Sequence, residues 1–178
     1  MITPAEYIQL KAFARQDGFF IGCLWVLAFA CFIGSMTHPE LQFGFVVGTM
    51  ATPFAVYYRL RHFRDKVLNG YISFGRAFAF IAFTMAYASI ILAGATLVYF
   101  YFLDNGTFVA TLRDNLSIPE IQQSFVNAGM DPKELDVQLE TISKSRPIDF
   151  AISIFSDGLI SSLILALIIG FLGKRTAR

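Results

Sequence analysis

An all-α fold, a four-helix transmembrane bundle with an extracytoplasmic helical hairpin between helices three and four, is what the sequence predicts, and three observations predict it. Apolar residues make up 56% of the chain and charged residues only 15%, whereas a soluble domain carries about 25% charge. The apolar residues gather in four runs, at about 18–36, 41–58, 77–103 and 148–172, each near the ~20 residues a helix needs to cross a hydrocarbon core. Between the second and third runs lies RLRHFRDKVLNGYISFGR, in which Arg59, Arg61, Arg64, Lys66 and Arg76 face the single acid Asp65. The positive-inside rule assigns such a short basic connector to the cytoplasmic face. The chain then reads as a single integral membrane domain with both termini cytoplasmic.

The N-terminal element follows from Thr3, Pro4 and Glu6, which fit an N-cap, the first helical position and the third position of a capping box. The mixed-charge stretch after them lies at the interface or runs straight into the first crossing. That crossing, GFFIGCLWVLAFACFIGSM, is too long for a signal-peptide core and is read as retained. Trp25 lies well inside it, as a packed or lipid-facing ring. Gly18 and Gly22 offer a close-approach pair on it, and Gly44, Gly48 and Thr52 a similar row on the second crossing. Pro53 sits inside the second crossing, where it removes a backbone donor and favours a kink. Cys23 and Cys31, eight positions apart on one helix, cannot bridge each other.

The third run is the longest, with Thr84, Tyr87 and Ser89 interrupting it near mid-depth. From 104 to 147 the composition turns polar. Ser117 with Glu120, and Asp131 with Glu134, each stand beside a proline as helix starts, and Gly129 stands between them as a stop. Two amphipathic helices, carrying Ile121 and Phe125 and then Leu135, Leu139 and Ile142, form the expected hairpin outside the membrane. The fourth run ends in GKRTAR, whose Lys174, Arg175 and Arg178 belong with the basic connector on the inner side.

Asp157 is the most informative candidate. A carboxylate about nine residues into the last crossing lies near mid-depth, where an ionisable group is costly and must face a protein interior or water. Ser153, Ser156 and Ser161 share its face at helical spacing, and Thr49, Thr52, Thr84 and Tyr87 are hydroxyls at similar depth on other helices. Such an intramembrane polar network either specifies the packing of the bundle or an oligomer, or forms a proton or small-solute path. Asp17 and Arg76, both at the inner boundary, are a candidate ion pair.

No phosphate-binding, zinc-hydrolase, nucleophile or dinucleotide signature occurs, so the sequence gives no catalytic residue, cofactor or metal site. Basic residues sit at helix ends instead of forming one cationic face, which argues against nucleic acid. The expectation is a non-enzymatic integral membrane scaffold or accessory subunit. It would contact membrane lipid and meet a second copy or a membrane protein partner through the outer hairpin. The alternative is a small oligomeric transporter or channel using Asp157 and the serine stripe.

Three further features carry a family resemblance: the segment GYISFGRAF at Gly70–Phe78, the Asn/Asp-rich loop before the last crossing, and GKR at Gly173–Arg175. With them the chain resembles a family of small membrane proteins, mainly from Bacteroidetes, catalogued as domain of unknown function 4199. The resemblance implies a bacterial inner (cytoplasmic) membrane location and brings no established activity with it.

Overall fold

The computed structural model describes residues 3–175, the side chain of Pro132 excepted. Its helices are α1 (Pro4–Gly34), α2 (Leu41–His62), α3 (Phe74–Val98), α4 (Thr107–Leu116), α5 (Pro119–Asn127), α6 (Pro132–Ser143) and α7 (Pro147–Gly173). Wider π-type turns continue α2 over Phe63–Val67 and α3 over Tyr99–Leu103. The chain divides into two compact units, Met1–Ala95 with Ile152–Arg178, and Thr96–Ala151.

In the first unit α1 starts at the capping box that its sequence announces. The Thr3 hydroxyl accepts from the Glu6 N–H at 3.3 Å, and the Glu6 carboxylate accepts from the Thr3 N–H at 2.9 Å. The helix runs without a break into its apolar half. There α2 packs along it in the opposite direction, since Asp17 meets Arg59, Trp25 meets Thr52, and a Cβ on Gly44 would press on Cys31. The other face of α1 lies against α3. A Cβ at Gly18 would stand 2.6 Å from the Thr84 carbonyl oxygen and 2.6 Å from the Tyr87 Cβ, so only glycine lets these backbones approach. Helix α7 runs antiparallel to α3, with Gly158 against Ser89 and Gly170 against Phe78. Phe63 and Phe80 stack at 4.5 Å within a core that includes Leu10, Leu60, Ile81 and Met85.

The four-crossing topology gives way to three candidate spans. Pro4–Gly34, Phe74–Leu103 and Pro147–Gly173 are long and apolar enough to cross a membrane, with mean hydropathies of 1.9, 2.0 and 2.2. Only 28%, 39% and 17% of their most apolar windows are buried, as suits helices facing lipid and not a protein core. Helix α2 does not reach that standard. Gln42, Thr49, Thr52, Pro53, Tyr57 and Tyr58 dilute it, and its last turn carries Arg59, Arg61 and His62. It is a member of the helical bundle packed along α1, and the four-pass reading took its length for its hydropathy.

The second unit holds the other correction. The expected two-helix hairpin is a set of three short helices, α4, α5 and α6. Helix α4 lacks the proline and capping-box signals of its neighbours. It starts instead from Gly106 at φ 84°, with the Asp104 carboxylate accepting from the Phe108 N–H at 2.8 Å. Asp131 caps α6 by accepting from the Lys133 N–H at 2.9 Å, and Gly129 takes φ 85° just after α5. Phe100 stacks on Phe150 at 4.1 Å, with Phe108 edge-on to both. Among the described residues of α4–α6 only Leu139 is buried.

Candidate functional site

An open-sided cleft of about 520 Å³ lies within the first unit, where α1, α2, α3 and α7 diverge. Aromatic rings supply much of its wall: Trp25, Phe29 and Phe32 from α1 and Phe45 from α2. Helix α3 adds Met85 and Leu92. The polar edge consists of Thr49 and Thr52 on α2 with Asp157 and Ser161 on α7. Asp157 is the one charged residue among the described lining residues. It stands ten positions past Pro147, or ~15 Å along α7, a candidate span of 27 residues.

The two threonines and the tryptophan differ sharply from the aspartate in how they are satisfied. The Trp25 indole N–H donates to the Thr52 hydroxyl at 2.9 Å, and that hydroxyl donates to the Gly48 carbonyl at 3.2 Å. Thr49 donates to the Phe45 carbonyl at 2.9 Å. The Asp157 carboxylate has no hydrogen bond or ion pair among the described residues and is exposed. Its neighbour Gly158 lies against Ser89, which brings α7 close to α3 directly beside the carboxylate.

Of the hydroxyls expected around Asp157, the cleft therefore gathers Thr49, Thr52 and Ser161. Ser153 and Ser156 are exposed on α7 and do not line it. Thr84 is buried and donates to the Phe80 carbonyl at 2.8 Å, while Tyr87 packs at the Gly18 contact. Those two belong to the α1–α3 seam. The residue that sequence reasoning missed is Trp25, read only as packed or lipid-facing. Its spacing to Thr52 carries no signal until α1 and α2 are known to run side by side.

At the charged end of the first unit the carboxylates are paired, though not as expected. Asp17, buried, meets Arg59 Nε at 3.2 Å, and Arg76 Nη1 meets the Glu6 carboxylate at 3.0 Å. The Asp17–Arg76 pair is thus replaced by two others, because the nearest cation to Asp17 comes from the antiparallel α2. Arg59 also lies over the Phe20 ring at 4.5 Å. The buried Arg64 side chain reaches further: Nη1 donates to the Gly173 carbonyl at 3.0 Å, while Nε and Nη2 grip Asp65 at 2.7 and 3.1 Å. A cation on the last carbonyls of α7 offsets their partial negative charge. The Arg64 guanidinium holds the Asp65 carboxyl below the usual carboxylate range.

This clasp continues through the segment that carried the family resemblance. Asn69 at φ 54° and Gly70 at φ 88° turn the chain back, and Ile72 and Arg175 then exchange two backbone hydrogen bonds of 2.9 Å. That isolated bridge is the one extended pairing among the described residues. Residues near both described ends of the chain, Glu6 and Gly173–Arg175, are therefore tied to the basic connector. Arg178, counted with the basic tail, lies outside the described residues.

Among the described residues no group of three or more His, Cys, Asp or Glu side chains is placed to hold a metal ion. No curated protein and no solved structure matches the chain. A family model does match, over residues 16–175, and its description is "Protein of unknown function (DUF4199)". With its candidate spans, its clasped connector and this match, the chain belongs to that family of small integral membrane domains found mainly in Bacteroidetes.

Proposed function

We propose that this multi-span helical membrane protein is a non-enzymatic accessory or scaffold subunit that meets another membrane component through α4–α6. One observation carries the reading. These helices have 10, 9 and 12 residues, and isolated helices below ~12–15 residues are marginal in water. Among their described residues they bury only Leu139, while Val126 and Val137 are exposed, as are Ile118 and Met130 beside them. Apolar faces of this kind on short helices gain stability by being covered. The connector, Glu6 and the Gly173–Arg175 segment share one end, and the positive charge of the connector favours the cytoplasmic side of a bacterial inner membrane for it.

A photo-crosslinking amino acid at Val137, with Lys144 as control, tests the assignment in native membranes. A discrete protein adduct at Val137, lost when Leu139→Asp disrupts the helices, is the expected result. Lipid adducts alone at both positions would end the reading.

The cleft favours a second reading, a small transporter or channel in which Asp157 binds the solute. Flux through proteoliposomes that falls to background with Asp157→Asn supports it, and identical flux in both proteins removes it.

A further inference from the structure

We propose that the Asp157 cleft is a binding site for a lipophilic organic cation, an aromatic-bearing ammonium or phosphonium of drug-like size. The proposal rests on the cleft of the second reading, though not on transport. Three features of the site select this ligand chemistry. The first is electrostatic. Asp157 is the one charged residue among the described lining residues, and no described donor or cation answers it. A carboxylate in an apolar medium is strongly stabilised by an opposite charge and strongly penalised without one.

The second feature is the wall. Trp25, Phe29, Phe32 and Phe45 surround the space with aromatic surface, and indole is the best of the side-chain rings for a cation, more so when desolvated. Trp25 is held in place by its 2.9 Å bond to Thr52, so its position is set before a ligand arrives. The third is size and balance. A volume of about 520 Å³, apolar apart from a few convergent oxygens, lies within the ~300–1,000 Å³ usual for small-molecule sites. A small inorganic cation fits poorly, because divalent ions need several oxygen ligands and this cleft offers one carboxylate. An anion is refused by the same carboxylate.

The chain supplies its own reporter, since Trp25 is its single tryptophan and lines the site. Full-length protein in lipid nanodiscs is titrated with tetraphenylphosphonium while Trp25 emission is followed, and empty discs correct for partition into lipid. Tetraphenylborate, alike in shape and opposite in charge, is the control, and equilibrium dialysis gives binding without fluorescence. Saturable binding of the phosphonium and none of the borate is expected. Asp157→Asn should weaken binding about thirtyfold, equivalent to ~2 kcal/mol, while Asp157→Glu keeps most of it. Ser161→Leu, which fills the exposed edge of the cleft, should compete with the ligand without removing charge. Equal binding of both ions, or undiminished binding of the phosphonium to a well-folded Asp157→Asn protein, overturns the proposal. A helix of another chain already occupying the cleft would also show as no saturable binding, and overturns it equally. Binding without flux leaves this inference standing and removes only the transport reading.

Discussion

The charged end and the cleft belong to the same compact unit and treat their carboxylates in opposite ways. At the charged end Asp17 is buried against Arg59, Glu6 holds Arg76, and Asp65 grips the Arg64 side chain that caps α7. In the cleft Asp157 lies among aromatic rings with no described partner, although Thr49, Thr52 and Trp25 around it are all satisfied. Paired charges at helix ends set the relative height of the helices and hold the connector to the last turn of α7. An ionisable group inside a candidate span is costly, and no described group of the chain offsets this one. The contrast separates residues that build the bundle from the residue that the bundle presents.

The sharpest way to break this comparison is to remove the charge at Asp17. With Asp17→Asn, the half-buried Arg59 keeps its place without a carboxylate, and losing the buried partner costs about 3 kcal/mol, the low end for a buried pair. Unfolding by steric trapping in bilayer discs reads the loss. The double variant Asp17→Asn with Arg59→Met should recover much of it, since no unpaired charge remains. If the single variant is as stable as the parent, the charged end is not structural.

The clasp is the next test. Arg64→Met removes donors to the Gly173 carbonyl and to Asp65, and hydrogen bonds involving a charged group are worth about 2 kcal/mol. It should also expose the last turn of α7 to amide exchange. The pH dependence follows from Asp65, whose folded value is lowered first by its hydrogen bond to Arg64. Its contribution is therefore present above the unfolded carboxylate value and is lost as pH falls through the folded one, on the acid side of about pH 4. Asp65→Asn should flatten that acid limb by lowering neutral-pH stability toward its acid value. An unaltered acid limb would remove Asp65 from the clasp.

These contacts also divide what neighbouring residues reveal from what only the packing of helices decides. The capping box of α1 is legible in the sequence because its partners are three residues apart, and Asp157 is legible because a carboxylate inside an apolar run is conspicuous at any register. The partner of Asp17 is not, because both Arg59 and Arg76 are near the boundary and only the antiparallel seating of α2 on α1 chooses between them. Arg64 is submerged in a run of basic residues whose orienting role explains all of them equally well. Its distinction is a reach of over a hundred positions to Gly173. Helix α2 misleads for another reason: its length is that of a span, while its threonines, proline and terminal arginines suit a helix packed on α1.

A smaller effect belongs to the link between Trp25 and Thr52, which sits between the two regions in kind. It is a satisfied contact, but it serves the cleft. Thr52→Val keeps the shape and deletes the acceptor of the indole N–H, and hydrogen bonds between membrane helices average ~0.6 kcal/mol with a maximum near 1.7. Stability should fall by about 1 kcal/mol. Trp25 emission should change in the ligand-free protein, because the ring is no longer held. A change in stability with an unaltered spectrum would mean that the bond does not position the ring.

The smallest expected effect is the most telling. Asp157→Asn removes a charge that has no described partner to leave behind, so it should cost nothing and can stabilise the protein by up to about 1 kcal/mol, as functional residues often do when replaced. The same chemical change at Asp17 is predicted to cost about 3 kcal/mol, because Arg59 is left behind there. Steric trapping on the two variants side by side measures the difference under one set of conditions. Suppose instead that Asp157→Asn destabilises as much as Asp17→Asn. Asp157 would then be an element of bundle packing, satisfied within the folded protein, and neither solute nor cation would be needed to explain it. A neutral Asp157→Asn would show that the fold does not depend on this carboxylate, and a stabilising one that the fold bears a cost for it, as is common for groups kept for what they bind.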